Sequence, residues 1–266
     1  MGEIVFVGLG LHDERGITLR GVEEAQTADK IFAELYTSSM PGLSMENLER
    51  NLGKKVNIVS RKQIEEEEGE PLIEAGASGK TVFLVPGDPL IATTHIALRI
   101  RAKKCGIATR IIHGASILSA VIGLSGLHNY KFGKSVTIPF SDETMPDTPY
   151  KVIGQNKRMS LHTLCLLDIN AGKNRCMTIH EGLKSLLAVE KRRKEKILST
   201  ETIVVGVARA GSDKPKVKAG FLRDVLSYSF GDPPHCIMFP GDLHFMEVEA
   251  LIALAEGPKE LKDMTI

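Results

Sequence analysis

The sequence carries almost no net charge: 34 basic residues stand against 33 acidic ones, for a balance of +1. That argues against a protein gripping nucleic acid by neutralising phosphates, which needs a basic face. Cysteine pairs are lacking too. Cys105, Cys165, Cys176 and Cys236 are scattered, with no C-x-x-C pair and no His at metal-ligand spacing, so a reducing compartment and no zinc site are expected. All but Cys176 lie in or beside apolar stretches and are expected to act as small core residues. No long apolar run occurs. The uncharged stretch between Arg110 and Lys131 contains His113, His128, Asn129 and several serines and glycines, too polar to span hydrocarbon, and reads as strand, turn and buried helix. The opening Met1-Gly2-Glu3-Ile4 lacks a basic n-region, and Phe6 spoils a myristoylation signal, so a soluble cytoplasmic protein is expected. No period of 20 to 50 residues repeats, which excludes a solenoid. No P-loop, H-E-x-x-H, Ser-His-Asp order or paired carboxylates stand out, leaving hydrolytic and phosphoryl-transfer chemistry without support.

What is present is an ordinary core-forming composition, 42% hydrophobic. At roughly 150 residues per domain, a chain of 266 makes one large domain or two modest ones. Apolar runs and helical spacings alternate. Strands are predicted at Ile4 to Val7, Ile31 to Leu35, Val56 to Val59, Thr81 to Val85 and Thr109 to Ile112. Thr18 offers an N-cap to a helix marked by Leu19, Val22, Ala25 and Ala28. Thr94 to Cys105 reads as an amphipathic helix whose basic face, Arg99, Arg101, Lys103 and Lys104, meets solvent. The acidic run Glu65 to Glu68 reads as solvated. The pattern restarts near Tyr130, followed by a polar connection over Ser141 to Pro149. Later strands are expected at Ser135 to Ile138, Leu161 to Asp168, Thr202 to Val207 and His235 to Phe239, with helices at Thr178 to Glu195 and His244 to Glu256. The cluster Lys191 to Lys196 suits a helix C-terminus. The expected organisation is two α/β domains, residues 1–129 and 130–266.

Three sets of segments hold more Gly, Pro and polar groups than folding requires. Gly8-Leu9-Gly10-Leu11 follows the first strand, where glycines let backbone approach a ligand. A dinucleotide fingerprint would need glycine at position 13, where Asp13 stands, so NAD is disfavoured; Glu34 as a ribose-binding acid is weak either way. Pro86-Gly87-Asp88-Pro89 follows a buried strand and opens a helix. Asp88 is there either a ligand contact or a turn and capping residue. Gly114-Ala115-Ser116-Ile117 and Gly231-Asp232-Pro233-Pro234-His235 form the third set. Ser116 either caps a helix or meets a ligand, and His235 alone reads first as a satisfied core imidazole.

In order along nearly the whole chain, Gly8-Leu9-Gly10-Leu11, Asp13-Glu14-Arg15, Phe32 to Ser38, Gly87 to His95, Tyr130-Lys131-Phe132-Gly133, Leu161 to Ile169, Ala208-Arg209-Ala210-Gly211 and Gly231 to His235 resemble the diphthine synthases. These belong to the tetrapyrrole-methylase-like class of S-adenosylmethionine enzymes. Tetrapyrrole methylases carry a third glycine where His12 stands here, which fits the diphthine branch rather than a porphyrin substrate. The resemblance implies a class III methyltransferase fold, two α/β domains with the methyl donor in the cleft between them. It implies that Leu11, Asp88, Ile91, Ser116, Ile117, Leu167, Ala210 and His235 line the donor pocket. S-adenosylmethionine is the implied cosubstrate, S-adenosylhomocysteine its product, with no metal. The implied reaction is up to three methylations of the amino group of 3-amino-3-carboxypropyl-histidine on translation elongation factor 2. No nucleic-acid or membrane contact is implied, and a homodimer is. His95 and Asp168 are the candidates for the base that frees the amine. The rivals are a tetrapyrrole or other small-molecule methyltransferase and a non-catalytic binding protein on the same scaffold.

Overall fold

Apolar runs that read as strands become strands where helices cover both faces of a sheet. The computed structural model describes residues 2–141, 146–170, 172 and 175–264. It divides into two compact units, Met1–Ile117 and Leu118–Ile266. The first contains β1 (Glu3–Gly8), α1 (Leu19–Gln26), β2 (Lys30–Ala33), α2 (Met45–Leu52), β3 (Asn57–Ile58), α3 (Glu70–Ser78), β4 (Lys80–Val85), α4 (Ile96–Lys104) and β5 (Ala108–Ile112). Its sheet runs β3-β2-β4-β1-β5, parallel throughout. Alternate residues serve opposite faces, as a two-residue period requires. Ile4, Phe6, Phe83 and Val85 join one apolar cluster with Leu72 and Leu98, while Val5, Val7, Val82 and Leu84 join another with Ala25, Leu48 and Leu52. Thr18 caps α1 as expected, its hydroxyl accepting the Gly21 N–H at 3.1 Å.

The second unit takes in most of α5 (Ile117–Ser125), then β6 (Val136–Ile138), α6 (Thr148–Arg158), β7 (Thr163–Leu167), β8 (Ile169–Asn170), β9 (Arg175–Cys176), α7 (Ile179–Arg193), β10 (Ile203–Ala208), β11 (Lys216–Phe221), α8 (Leu222–Val225), β12 (His235–Phe239) and α9 (Phe245–Leu254). Its main sheet runs β11-β10-β12-β7-β6, antiparallel except for the β6–β7 pair. α7 starts with a capping box: the Thr178 hydroxyl accepts the Glu181 N–H, and the Glu181 carboxylate accepts the Thr178 N–H. Leu183, Leu186 and Val189 of α7 then pack against Cys165 and Ile237 of the sheet. At the edge, the Lys216 and Lys218 ammonium groups of β11 lie over the Tyr228 ring, and the Ala219 N–H donates to the Ala255 carbonyl at 2.7 Å.

A buried carboxylate organises the far end of this unit. Glu247 in the first turn of α9 is inaccessible to solvent and accepts from the backbone N–H of His128 and His244, from His162 Nε2 at 2.8 Å and from Lys131 Nζ at 2.6 Å. The Tyr130-Lys131-Phe132 and Leu161-His162 segments therefore meet on one side chain. No helix among the described residues is long and apolar enough to cross a membrane.

Several expectations need correcting. Cys105 is exposed at the end of α4, whereas Cys165 and Cys236 are buried and burial pushes the Cys236 thiol up to about 12. α4 does not segregate its faces, for Ile96 and Ile100 share the solvent side with Lys103 and Lys104. α5 is only half-buried, with Val121 and Ser125 as its sealed positions. Of the expected connection Ser141 to Pro149, residues 142–145 lie outside the described residues, and Thr148 and Pro149 already begin α6.

Candidate functional site

In the first unit β1 lies between β4 and β5, so three loops leave neighbouring carboxyl ends. The connection from β1 heads toward β2, that from β4 toward β5 on the opposite side. Neighbouring strands whose connections diverge open a crevice at their carboxyl ends, the usual ligand position in open α/β sheets.

Glycines set the geometry there. A Cβ added to Gly8 would overlap the Gly87 carbonyl oxygen and fall 2.6 Å from Gly114 N and 2.7 Å from Gly114 Cα. Gly10 and Gly87 exchange backbone hydrogen bonds of 3.2 and 2.6 Å. Both have positive φ, +78° and +71°, a region side chains rarely enter. A Cβ on Gly87 would meet nothing closer than the Ala115 carbonyl at 3.9 Å, so beside this residue the backbone lies open. The loops bearing Leu11, Asp88 with Ile91, and Ser116 with Ile117 are thereby held together, and the structure gathers these five expected residues at one edge. Asp88 is buried, Leu11, Ser116 and Ile117 are half-buried, and Ile91 is exposed.

Asp88 takes the turn role that its sequence offered and makes a side-chain contact besides. Oδ1 accepts the Leu90 N–H at 3.2 Å, closing the turn, while Oδ2 lies 2.7 Å from Nδ1 of His113. His113 stands outside the motifs that mark the site in the sequence. Its signal was position: it directly precedes Gly114 at the end of β5, as Gly87-Asp88 follows the end of β4.

The expected residues of the second unit also sit on neighbouring strands. Leu167 ends β7, Ala210 lies just past β10, and His235 opens β12, which pairs with both and sets His235 opposite Ala208. Leu167 and Ala210 are buried. The His235 ring is held by backbone at both nitrogens: the Ile179 N–H donates to Nδ1 at 3.3 Å, so the proton sits on Nε2, 3.2 Å from the Asp232 carbonyl. Burial brings its pKa down to about 4. Arg209 fastens the neighbouring loop, its guanidinium donating to the Phe230 and Asp232 carbonyls, and a Pro233–Pro234 cis peptide leads into β12.

Both candidate bases have partners of their own. His95 is sealed, with Nδ1 3.3 Å from the Pro89 carbonyl, Nε2 3.4 Å from the Tyr36 hydroxyl, and the Phe83 ring edge-on at 5.2 Å. Burial holds its pKa below the ordinary histidine range, with Glu34 pulling the other way. Asp168 spends both oxygens on backbone, Oδ2 accepting from Phe140 N–H at 2.8 Å and Oδ1 from Ile169 N–H at 2.9 Å. Glu34 lies just past β2, buried, closing a turn by accepting the Tyr36 and Thr37 N–H groups and the Thr37 hydroxyl. Two buried polar atoms next to the gathered residues lack a partner among the described residues: His12 Nδ1, beside Leu11, and Ser212 Oγ, just past Ala210.

Comparison with known proteins shows the family of the chain. Residues 3–226 match the family model described as Tetrapyrrole (Corrin/Porphyrin) Methylases. The chain is 46% identical over 266 residues to the diphthine synthase of Methanosarcina mazei, covering 98% of each chain. It is 50% identical over 258 residues to that of Methanococcus aeolicus, covering 97% of this chain and 100% of the relative. A crystal structure of diphthine synthase superposes with a TM-score of 0.89 at 40% identity, covering 98% of this chain and 99% of the other.

Proposed function

The chain belongs to the tetrapyrrole methylase family, among the diphthine synthases, and on that premise we propose that it transfers methyl groups from S-adenosylmethionine to the amino group of 3-amino-3-carboxypropyl-histidine on translation elongation factor 2. It is a methyltransferase of diphthamide biosynthesis, acting up to three times on one nitrogen in the cytoplasm. The observation that carries the reading is the close-packed glycine edge around buried Asp88.

The residues present fit a sulfonium nucleoside. Within the first unit, Leu11, Ile91 and Ile117 supply apolar surface for an adenine ring. Asp88 and Ser116 supply sparse polar contacts, as small-molecule sites do. The open backbone at Gly87 leaves room for polar groups of a ligand. In the second unit, His235 has only its ring face and backbone left for a ligand contact, since both nitrogens are engaged. S-adenosylmethionine supplies a methyl group on a good leaving group. The protein's share is therefore alignment, exclusion of water and removal of the amine's proton.

Mass spectrometry tests the reading. A precursor of elongation factor 2 carrying the unmethylated side chain should gain up to three methyl groups when chain and donor are added; no gain in mass overturns the substrate assignment. Loss of a charged hydrogen-bonding group costs about 1.5–3 kcal/mol, so Asp88→Ala should raise the donor's Kd at least about tenfold. Unchanged calorimetric affinity would remove Asp88 from the pocket.

A further inference from the structure

We infer that His113 is the base that takes the proton from the substrate amine, oriented by Asp88. The inference rests on the proposed function, because it needs Asp88 beside the donor. A general base must be held in one tautomer while its free nitrogen stays within reach of the substrate. His113 meets both conditions. Its Nδ1 lies 2.7 Å from Oδ2 of Asp88, whose side chain is 9% exposed, while the imidazole itself is 75% exposed. A carboxylate can only accept, so in the neutral ring the proton lies on Nδ1 and Nε2 keeps its lone pair. Asp88 is in turn fixed through the Leu90 N–H, and Gly114 next to His113 is locked against Gly8 and Gly87. The ring thus stands on a rigid base at the edge where the donor residues gather.

The other imidazoles near the expected site are each less exposed than His113. His95 and His235 have both nitrogens engaged, and Nδ1 of His12 is occluded. His113 is the exposed imidazole held by a buried carboxylate.

The proton balance follows directly. His113 Nε2 takes one proton from the substrate ammonium, giving a neutral amine and an imidazolium. The amine lone pair forms the C–N bond as the C–S bond breaks, and sulfur leaves with that electron pair as a neutral thioether. The imidazolium returns its proton to water, for which its exposure leaves a path. The mono- and dimethylated ammonium groups each carry a proton to lose in the same way, and the trimethylammonium product has none. Three transfers release three protons and leave His113 unchanged.

The test combines kinetics, binding and NMR on the full chain. His113→Ala should lower kcat about 100-fold near neutral pH, with the calorimetric Kd for S-adenosylhomocysteine changed less than about twofold. The deficit should narrow as pH rises, because the amine then loses its proton to solvent. Added imidazole should restore part of the rate to His113→Ala, since the site is open. Nitrogen-15 shifts of His113 in the free wild-type protein should show a protonated Nδ1 and an unprotonated Nε2. Wild-type kcat in the variant, loss of donor binding, no rescue by imidazole, or a proton on Nε2 would each overturn the assignment while leaving the function standing. A wild-type chain that transfers no methyl group refutes the function, and the inference with it.

Discussion

Gly8→Ala is expected to cost about 3 kcal/mol of stability, at the upper end of overpacking penalties, and to weaken donor binding about 100-fold. The added methyl would strike the Gly87 carbonyl and the Gly114 backbone, none of which is a flexible side-chain end. Three parallel strands would have to spread for one methyl group. Because Asp88, Ser116 and Leu11 hang from those strands, spreading displaces all of them together, and displacements near 1 Å cost about 100-fold at aligned sites. Gly123→Ala is the matched control. It lies within α5 with nothing near its Cβ position and should gain about 0.5–1 kcal/mol from helix propensity. Urea denaturation and donor calorimetry on both variants check the pair; a Gly8→Ala protein as stable and as tight-binding as wild type would mean that the glycine edge is not rigid.

Glu247→Ala should be as damaging to stability, by about 3–5 kcal/mol, the usual range when one partner of a buried ion pair is removed. Lys131, His162 and two backbone N–H groups would lose their acceptor at once. These contacts hold the Glu247 carboxyl far below the ordinary glutamate value of 4.5, although burial alone would raise it. The native state therefore binds its proton less readily than the unfolded chain. Its contribution is complete above about pH 4.5 and is lost as pH falls below that. His235 adds a loss of the same sign. Its imidazole is held at about 4 against 6.5 when unfolded, so between those values the unfolded chain takes up the proton and stability falls with falling pH. Stability should thus begin to decline below about pH 6.5 and steepen below 4.5. Glu247→Gln should flatten the steeper part, and a wild-type curve level from pH 7 to 4 would contradict both arguments.

Legibility in the sequence followed the range over which each cause acts. Ile4 to Val7 and Thr81 to Val85 were readable because strands covered on both faces are apolar without interruption. The Thr18 cap was readable because its bond reaches only three residues. α2 was missed since its eight residues bury only Leu48 and Leu52, and β11 because lysines alternate along it. The candidate site was legible as segments, through its glycines and its resemblance. What those segments do to one another was not, because the Asp88–His113 bond and the stacking of Gly8 on Gly114 depend on strand order. The same distance effect hid the partners that His95 and Asp168 find within their own units.

The margin of the second sheet bears on how the protein behaves when concentrated. An open strand edge is a template on which another chain can lay a strand and begin to aggregate. β11 is such an edge, but the end of α9 has already captured its Ala219 N–H, and its two lysines are drawn across the Tyr228 ring. A strand arriving there would find a donor taken and charge to desolvate. This margin of the sheet is therefore a poor template for growth from one molecule into the next.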